Sequence, residues 1–424
     1  MQICKRNKGI TLVALIITII ILLILAGVSL SFVFNGGILD KSQEAVNEYQ
    51  NAANNESDVL EYINETLDKK LNEIGGGQTD PETPSVDSNG LATENTTIVA
   101  KDDKNVQIVI PKGFAPAILQ TGTTQSLPGE NGAVKEIMPA EKWNDITKED
   151  INRGIVVVDN AITYDNGQPS GTVPDFNEYV WIPIVDSSKF ARVAWTTPVG
   201  YNENGNWGKW NSKHNLAEVS SLNRFWEEKT TSEYTEMVNS VNSNKGFYIT
   251  RYEASNNGNS IAQSKRNQKP WVNVSQKTAI TASSNMKTSI NSHLIYGIEW
   301  DSILQLLLDS DSKISSSVKG ETKIIELSDI QNYSGSWGNF YDSVGDAAVN
   351  SGGSEEKLTG TSEYWKVNNI YDLAGNVYEM TQEKYSTGTI RVCRGGFYIN
   401  NGDSGPAAVR RNNDEATTNI GRRI

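Results

Sequence analysis

The feature that most constrains the fold of this chain is an apolar run without a single charge, from Ile10 to Phe34. An α-helix rises about 1.5 Å per residue, so a helix over this run is long enough to cross a hydrocarbon layer of ~30 Å. Lys5, Arg6 and Lys8 precede the run, and basic residues tend to stay on the cytoplasmic side of a membrane. The sequence therefore predicts one membrane crossing at 10–34, with the rest of the chain outside the cell.

The residues around this crossing have the layout of a processed leader. A basic head ends at Gly9, the apolar run begins at Ile10, and no small-residue cleavage site follows the run. This layout resembles a type IV prepilin leader, which implies that a prepilin peptidase removes residues 1–9 by cutting between Gly9 and Ile10. The fifth mature position is Ala14. That family usually has a glutamate there, which helps subunits assemble, so Ala14 argues against incorporation into a fibre. A plain signal anchor is the alternative interpretation.

Beyond the crossing, the composition predicts a helix and then a flexible connection. Residues 35–74 carry apolar side chains at spacings of three and four, separated by acidic ones, which is the pattern of an amphipathic helix. These apolar positions are Leu60, Ile63, Leu67, Leu71 and Ile74. Residues 75–92 are rich in Gly, Pro, Ser and Asp, a composition typical of a flexible linker. We therefore expect a helical stalk at 35–74 and a linker at 75–92.

From residue 93 onward, short β-branched and aromatic runs alternate with Gly, Asn and Asp turns, the pattern of a strand-rich domain. Two stretches have a helical pattern instead, at Ser220–Val241 and Ile298–Leu308. All 10 tryptophans lie between Trp143 and Trp365. Because tryptophan is a large core residue, we expect this window to hold the packed body. The sequence thus predicts one α+β domain at 93–424.

Several segments of this domain, taken in order, carry a family resemblance. They are NEYVWIPI at 177–184, KGFYITRYEA at 245–254, KPWVNV at 269–274, HLIYGIEWD at 293–301, WGNFYDS at 337–343, NNIYDLAGNVYEMTQ at 368–382, RVCRGGFYI at 391–399 and AAVRRN at 407–412. Together they resemble the formylglycine-generating enzyme (sulfatase-modifying factor) family. The resemblance implies a C-type lectin-like fold, which belongs to the α+β class.

The catalytic residues of that family are missing. In its active members, two cysteines follow the Arg-Gly-Gly turn, bind copper and activate oxygen. This chain has only Cys4 and Cys393, and no cysteine follows Gly396. A thiolate pair is what such a Cu(I) site needs, so the sequence predicts neither copper nor formylglycine-generating activity. The two histidines, His214 and His293, lie far apart and lack a metal-ligand spacing. We therefore expect a domain that is not an enzyme.

The resemblance also implies a structural calcium ion. Members of the family often hold calcium at a Gly-Asn-x-Trp-Glu segment, through backbone carbonyls and the glutamate side chain, and such hard oxygen ligands suit Ca²⁺. Carried over to this chain, the ligands would be the Glu379 side chain and the backbone oxygens of Gly375 and Val377, with Asn339 in a second site. The alternative interpretation is that Asn376 and Glu379 only satisfy backbone donors in a tight turn.

The stretch from Phe397 to Asn419 is rich in Asn, Asp, Gly, Ser, Thr and Arg. Such residues give adaptable hydrogen bonds, and tyrosine adds contact area at low entropic cost, as in antibody paratopes. Proteins of the same lectin-like fold serve as variable proteins of diversity-generating retroelements, which rewrite adenines in AAY codons near the end of a gene. Codons randomised in this way cannot encode Lys, Glu, Gln, Met or Trp. None of these occurs from Phe397 to Asp414, and Glu415 interrupts the run.

This pattern favours a variable ligand-binding face at 397–419 over a fixed binding face or a scaffold loop. The candidate contact residues are Tyr398, Asn400, Asn401, Asp403, Ser404, Arg410, Asn412 and Asn413. The formal net charge of −13 argues against nucleic acid as the ligand, because phosphate binding requires a basic surface. The sequence thus predicts a protein anchored in a bacterial cell membrane that binds a protein or glycan ligand.

Two other functions stay open at this stage. The chain could be a minor pilin or pseudopilin whose globular head caps a fibre, although Ala14 counts against that role. It could also be an enzyme of altered chemistry on the same scaffold, for which the sequence offers no catalyst.

Overall fold

The computed structural model describes residues 82–120, 132–165, 168–170, 174–193, 195, 199–201, 207–209, 225–227, 229–315, 322–343, 355–385, 390–413 and 420–422. The helices and strands of these ranges belong to one compact unit, Thr83–Ile424. The helices are α1 (Lys148–Asn152), α2 (Ser232–Asn244), α3 (Gln276–Ser284), α4 (Gly297–Asp309) and α5 (Leu327–Gln331). Single 3-10 turns lie at Ala140–Asp145, Ser187–Lys189, Thr288–Ile290 and Glu363–Trp365.

The strands are short, and most of them belong to hairpins or to two larger sheets. They are β1 (Thr96–Ala100), β2 (Asp103–Ile110), β3 (Ala115–Leu119), β4 (Val134–Ile137), β5 (Val156–Val158), β6 (Tyr164–Asp165), β7 (Gln168–Pro169), β8 (Glu178–Pro183), β9 (Val199–Tyr201), β10 (Trp207–Lys209), β11 (Phe225–Trp226), β12 (Gly246–Thr250), β13 (Ser255–Asn256), β14 (Ala262–Gln263), β15 (Lys313–Ser315), β16 (Thr322–Ile324), β17 (Lys366–Val367), β18 (Ile370–Tyr371), β19 (Tyr378–Tyr385), β20 (Ile390–Arg394), β21 (Arg411–Asn413) and β22 (Ile420–Arg422). The predicted α+β class is therefore confirmed.

The first five-stranded sheet is antiparallel throughout and has the order β12-β8-β5-β3-β4. Its strands β8 and β5 are buried along their whole length. A strand that is buried on both faces needs a nearly uninterrupted apolar sequence, which the letters YVWIP and VVV supply. Both strands are short β-branched and aromatic runs of the kind from which the sequence predicts strands after residue 93, and for them that prediction is confirmed.

The second sheet carries the C-terminal segment that the sequence singles out. Its order is β11-β19-β20-β21, and β22 pairs in parallel with the start of β19. Strand β20 ends at Arg394, after which Gly395 and Gly396 both have positive φ, 87° and 94°. Such angles are closed to most other residues, so this glycine pair turns the chain out of the sheet and into the candidate binding segment.

Of the two predicted helices, one is confirmed and one is corrected. Helix α4 spans Gly297–Asp309 and so contains the predicted 298–308, with Trp300 and its apolar neighbours buried. The prediction at 220–241 was wrong at Phe225–Trp226, because these residues form strand β11 against the end of β19. Helix α2 begins only at Ser232, where the Thr231 hydroxyl accepts a hydrogen bond from the Tyr234 N–H.

The core consists of a large apolar cluster around α4 and the first sheet, a second cluster beneath the β1-β2 hairpin, and a small third one. Tryptophans contribute to the first two clusters, as expected for the window that holds the packed body. Five of them are among the largest fully buried side chains: Trp143, Trp181, Trp300, Trp337 and Trp365. Large aromatic side chains that fill the interior stabilise a domain of short strands and long loops by removing much apolar area from water.

The globular unit begins earlier than the predicted boundary at residue 93. Leu91 and Ala92 are buried in the second cluster, and Ala92 forms an isolated bridge with Val86. Asp87 caps the intervening turn, because its carboxylate accepts hydrogen bonds from the N–H groups of Asn89 and Leu91. The last residues of the predicted linker are thus part of the folded unit.

The remaining N-terminal predictions lie outside the described residues. These are the leader cut between Gly9 and Ile10, the membrane crossing at 10–34, the stalk at 35–74 and the linker up to residue 81. Among the ranges that the structure does describe, no helix is both long enough and apolar enough to cross a membrane.

Candidate ligand-binding face

The candidate binding segment is held by a tight turn at its start. The Gly395 carbonyl accepts a hydrogen bond from the Gly375 N–H at 2.7 Å. A Cβ atom at Gly395 would overlap Oε2 of Glu379, and one at Gly396 would overlap the Gly405 carbonyl oxygen. Approaches this close, one to a side chain and one to backbone, together with the positive φ angles, require glycine at both positions. The segment therefore leaves the sheet at a fixed point and in a fixed direction.

Backbone hydrogen bonds hold the next residues in place. The Tyr398 N–H donates to the Asn376 carbonyl at 3.0 Å, and the Asn400 N–H donates to the Phe397 carbonyl at 2.8 Å. The Asn400 carbonyl accepts in turn from the Tyr341 N–H at 3.0 Å. The loop at 397–400 is thus joined to two separate parts of the chain. A loop fixed in this way presents its side chains without first having to order its backbone.

The side chains of the segment divide into accessible and buried groups. Ile399 is 58% exposed and Asn401 is exposed, while Tyr398, Asn400, Asp403 and Ser404 are partly exposed. The group that is buried consists of Gly402 and Gly405–Val409. The buried stretch is tied into the core, since the Ala408 N–H donates to the Ile330 carbonyl at 3.1 Å. Five predicted contact residues therefore share an accessible surface.

Two predicted contact residues lie elsewhere on the sheet. Asn412 and Asn413 belong to β21, where they pair with Val392 and Arg391 of β20. The rest of the predicted variable region, 414–419, lies outside the described residues. The structure therefore places the two asparagines in a strand and not on the loop that carries the other candidates.

The accessible loop has a neighbour that the sequence did not single out. Tyr341, whose backbone bonds to Asn400, is 65% exposed. The next residue, Asp342, accepts a hydrogen bond from the Gly402 N–H at 2.6 Å. Partial burial raises the pKa of the Asp342 carboxyl above its usual value, and the Asp403 carboxylate raises it further. The segment WGNFYDS thus contributes an aromatic ring and an acidic group to the same surface.

Glu355 and Glu356 lie near the Tyr398 hydroxyl. Burial raises the pKa of the Tyr398 hydroxyl, and both carboxylates raise it further. Glu356 also forms an ion pair with Lys269 at 2.8 Å. The surroundings of Tyr398 are therefore mainly acidic.

Arg410 differs from the other predicted contact residues because it lies in a buried ion cluster. The side chain of Arg410 is only 7% exposed. Its Nε lies 2.8 Å from Oε1 of Glu383, and its Nη2 contacts Asp301. The buried ion cluster consists of Arg192, Glu227, Asp301, Glu383, Arg394 and Arg410. It brings together residues of α4, β19, β20 and three connecting segments, and it matches three cations with three carboxylates.

The carboxylates of this cluster are in unequal electrostatic environments. Burial alone would raise the pKa of Glu383, but the guanidinium groups of Arg410 and Arg394 hold it well below its usual value. Burial raises the pKa of Glu227 to about 7. Glu227 accepts hydrogen bonds from the Gly297 and Ile298 N–H groups at the start of α4. The cluster therefore also caps the helix that forms the centre of the core.

The turn expected to hold calcium is closely hydrogen-bonded. The Asn376 amide donates to Glu253 at 2.5 Å and accepts from the Asn339 side chain at 3.0 Å. The other oxygen of Glu253 accepts from the Val377 N–H at 3.1 Å. The Asn376 side chain therefore serves as a hydrogen-bond partner within the turn. Asn339 likewise serves as a hydrogen-bond partner here.

The Glu379 carboxylate gives this turn oxygen ligands of the kind that Ca²⁺ prefers. It is fully buried and lies against Gly395. Carboxylate and backbone oxygens are the hard ligands that calcium prefers, and in the predicted site Glu379, Gly375 and Val377 would supply them. Within the described ranges, no three His, Cys, Asp or Glu side chains are arranged to hold a metal ion together. Any calcium site at this turn would thus draw on backbone carbonyls as well as on Glu379.

Cys393 and His293 both lie in structural surroundings. Cys393 is buried in the third apolar cluster. His293 bonds through Nε2 to the Glu299 carboxylate at 3.0 Å. Burial lowers the pKa of His293, but Glu299 more than offsets this effect and raises it to about 9. His214 lies outside the described residues.

Comparisons with known proteins add little to the description of this site. No protein-family model and no curated protein sequence matches the chain. A weak structural likeness is to Treponema denticola variable protein 1. The two are 14% identical, the match covers 63% of this chain and 94% of that chain, and the TM-score is 0.21. At this level of similarity neither a fold nor a function carries over, so a functional proposal has to rest on the site itself.

Proposed function

We propose that this chain is a ligand-binding protein, and that its ligand contacts the accessible loop and the ring beside it. We call this surface the binding face and define it by Tyr341, Tyr398, Ile399, Asn400, Asn401, Asp403 and Ser404. The observation that carries the proposal is the exposure of Tyr341 and Ile399 on a backbone fixed by hydrogen bonds. Exposed aromatic and aliphatic side chains amid adaptable polar ones, on a preorganised loop, are the makeup of a recognition surface.

The proposal includes diversification of this surface and absence of the family's catalysis. The accessible positions of the C-terminal segment all carry residues that randomised AAY codons can encode. The buried positions Gly402 and Gly405–Val409 hold the segment in the core and are expected to stay constant. A C-type lectin-like scaffold without the cysteine pair, anchored through the predicted helix at 10–34, would display the face outside the cell. Calcium at the Glu379 turn would stabilise that scaffold.

Sequencing the end of this gene across one natural population tests the diversification. We expect substitutions in the codons of Tyr398–Asn401, Asp403 and Ser404, traceable to adenines of a nearby template copy. The codons of Gly402 and Gly405–Val409 provide a control within the same segment. Equal variability in the accessible, buried and tryptophan codons would overturn the variable face and leave a fixed one.

Binding itself can be tested with probes selected from peptide and glycan libraries against the full chain. Alanine at Tyr398 and at Asn401 should weaken the binding of such probes by about tenfold or more, as central contact residues do. Ile324→Ala, which changes an exposed apolar residue of another surface, is the matched control. Probes that bind the Tyr398 and Asn401 variants as well as the native chain would refute the binding face.

A further inference from the structure

The apolar part of the binding face extends beyond the C-terminal segment. Among the described residues, the large apolar side chains with the greatest exposure are Tyr341 and Ile399. Leu358, which is 48% exposed, follows Lys357, and the Lys357 N–H donates to the Asn376 side chain at 2.8 Å. Asn376 also accepts from the Tyr398 N–H. Asn376 therefore bonds to both segments that carry these exposed apolar side chains. We take the exposed side chains of the two segments together as a candidate anchor site for an apolar group.

Acidic side chains surround this anchor site. They are Asp342, Glu355, Glu356 and Asp403. The cations at its edge are Lys269, which pairs with Glu356 at 2.8 Å, and Lys357, which pairs with Glu355 at 2.6 Å. Four carboxylates against two ammonium groups leave the rim negative. The chain as a whole has a formal net charge of −13, so its field reinforces that of the rim.

Resting on the proposed function, we propose that the ligand of the binding face is a protein surface with an apolar centre and a basic rim. An exposed Ile399 and Leu358 gain from burial against apolar side chains, which a protein partner supplies. The carboxylates around them gain from Lys and Arg, because complementary charge accelerates encounter and selects among partners. A neutral glycan would leave the surplus carboxylates without complementary charge, and a nucleic acid would be repelled by them.

The test uses short peptides from a displayed random library, selected on the full chain and then synthesised as labelled probes. We expect selected peptides to combine an aromatic or aliphatic centre with flanking Lys and Arg. Their affinity should fall about tenfold with Ile399→Ser and several-fold with Glu355→Gln. It should also fall as NaCl rises from about 50 mM to about 500 mM, because salt screens exposed charges.

Matched variants on other surfaces separate specific from general effects. Ile324→Ser removes an exposed apolar side chain elsewhere, and Asp165→Asn removes an exposed carboxylate elsewhere, so both should leave affinity unchanged. Acidic or neutral peptides that lose affinity with Ile399→Ser would overturn the basic partner but keep the binding face. A face-dependent glycan, without any face-dependent peptide, would overturn the protein partner in the same way. Probes insensitive to Ile399→Ser would overturn the proposed function itself.

Discussion

Replacement of Arg410 by alanine should destabilise the folded protein, because the Arg410 guanidinium group is one of three cations in the buried ion cluster. Its Nε lies 2.8 Å from the Glu383 carboxylate, its Nη1 donates to the Val193 carbonyl at 3.1 Å, and its Nη2 contacts Asp301. Without this group, three buried carboxylates face only two guanidinium groups. Truncation of one partner in a buried ion pair leaves an uncompensated charge out of contact with water.

The expected loss of stability is large compared with that from a surface substitution. Breaking a buried pair typically costs about 3 to 5 kcal/mol. Because Arg394 still contacts both Asp301 and Glu383, we expect a value near the lower end, about 3 kcal/mol. Natural domains are stable by only about 5 to 15 kcal/mol, so this loss would be a considerable part of the total.

Urea-induced unfolding of the full chain, followed by tryptophan fluorescence, measures this loss. The matched control is Arg153→Ala, since the Arg153 side chain is 66% exposed and pairs with Glu149 one helical turn away. Such a pair contributes about 0.5 kcal/mol or less. If Arg410→Ala cost no more than the control, the buried cluster would be refuted, and Arg410 would again be a candidate for direct ligand contact.

Three further perturbations test the parts of the structure around the binding face. Because burial raises the pKa of Glu227 from its ordinary value of 4.5 to about 7, the folded state holds a proton that the unfolded chain releases. The free energy of unfolding should therefore fall as pH rises from about 5 to about 8, and Glu227→Gln should flatten that slope in urea midpoints. Gly395→Ala should lower the free energy of unfolding by about 2 to 4 kcal/mol, because of its positive φ and its overlap with Glu379. The control Gly113→Ala has a similar φ but open space around it, so it should cost only about 1 kcal/mol. Equal losses in both variants would contradict the overlap. Added Ca²⁺ should raise the urea midpoint of the native chain but not of Glu379→Gln, and an equal rise in both would exclude this turn as the calcium site.

The elements that could be predicted from sequence are those whose signal is local. Strands β5 and β8 are read directly from uninterrupted apolar letters, and α4 from its apolar periodicity. Strand β11 could not be read in this way. Phe225 and Trp226 pair with Tyr385 and Lys384, which lie far along the chain. Two residues are too few to show the alternation that predicts a strand. The predicted helix at 220–241 therefore included them, on the helical pattern of the residues that follow.

The candidate site shows the same division between local and distant causes. Composition identified Tyr398 and its polar neighbours, because exposed loops favour such residues. It also selected Arg410, whose partners Asp301 and Glu383 belong to other segments and come together only in the fold. An arginine has the same chemistry on a ligand surface and in a buried ion cluster, so only the tertiary contacts distinguish them.

Tyr341 is a residue of the binding face that the sequence alone does not identify. Phe340 and Tyr341 are adjacent aromatics, yet Phe340 is completely buried and Tyr341 is 65% exposed. Adjacent residues of an irregular segment follow no period, so hydrophobicity alone cannot say which one faces the solvent. Tyr341 is joined to the loop by its backbone bond to Asn400, a contact between segments that are distant in sequence.

In the C-terminal segment, the residues that stabilise the fold are not the residues that are accessible to a ligand. Arg410 attaches the segment to the buried ion cluster, and Gly405–Val409 are buried in the core. Tyr398–Asn401 carry the accessible side chains, and their backbone bonds do not depend on side-chain identity. Substitutions at such exposed positions usually change stability by no more than about 0.5 kcal/mol. A surface built in this way can change its ligand without losing its fold, which is the physical requirement that any diversified receptor has to meet.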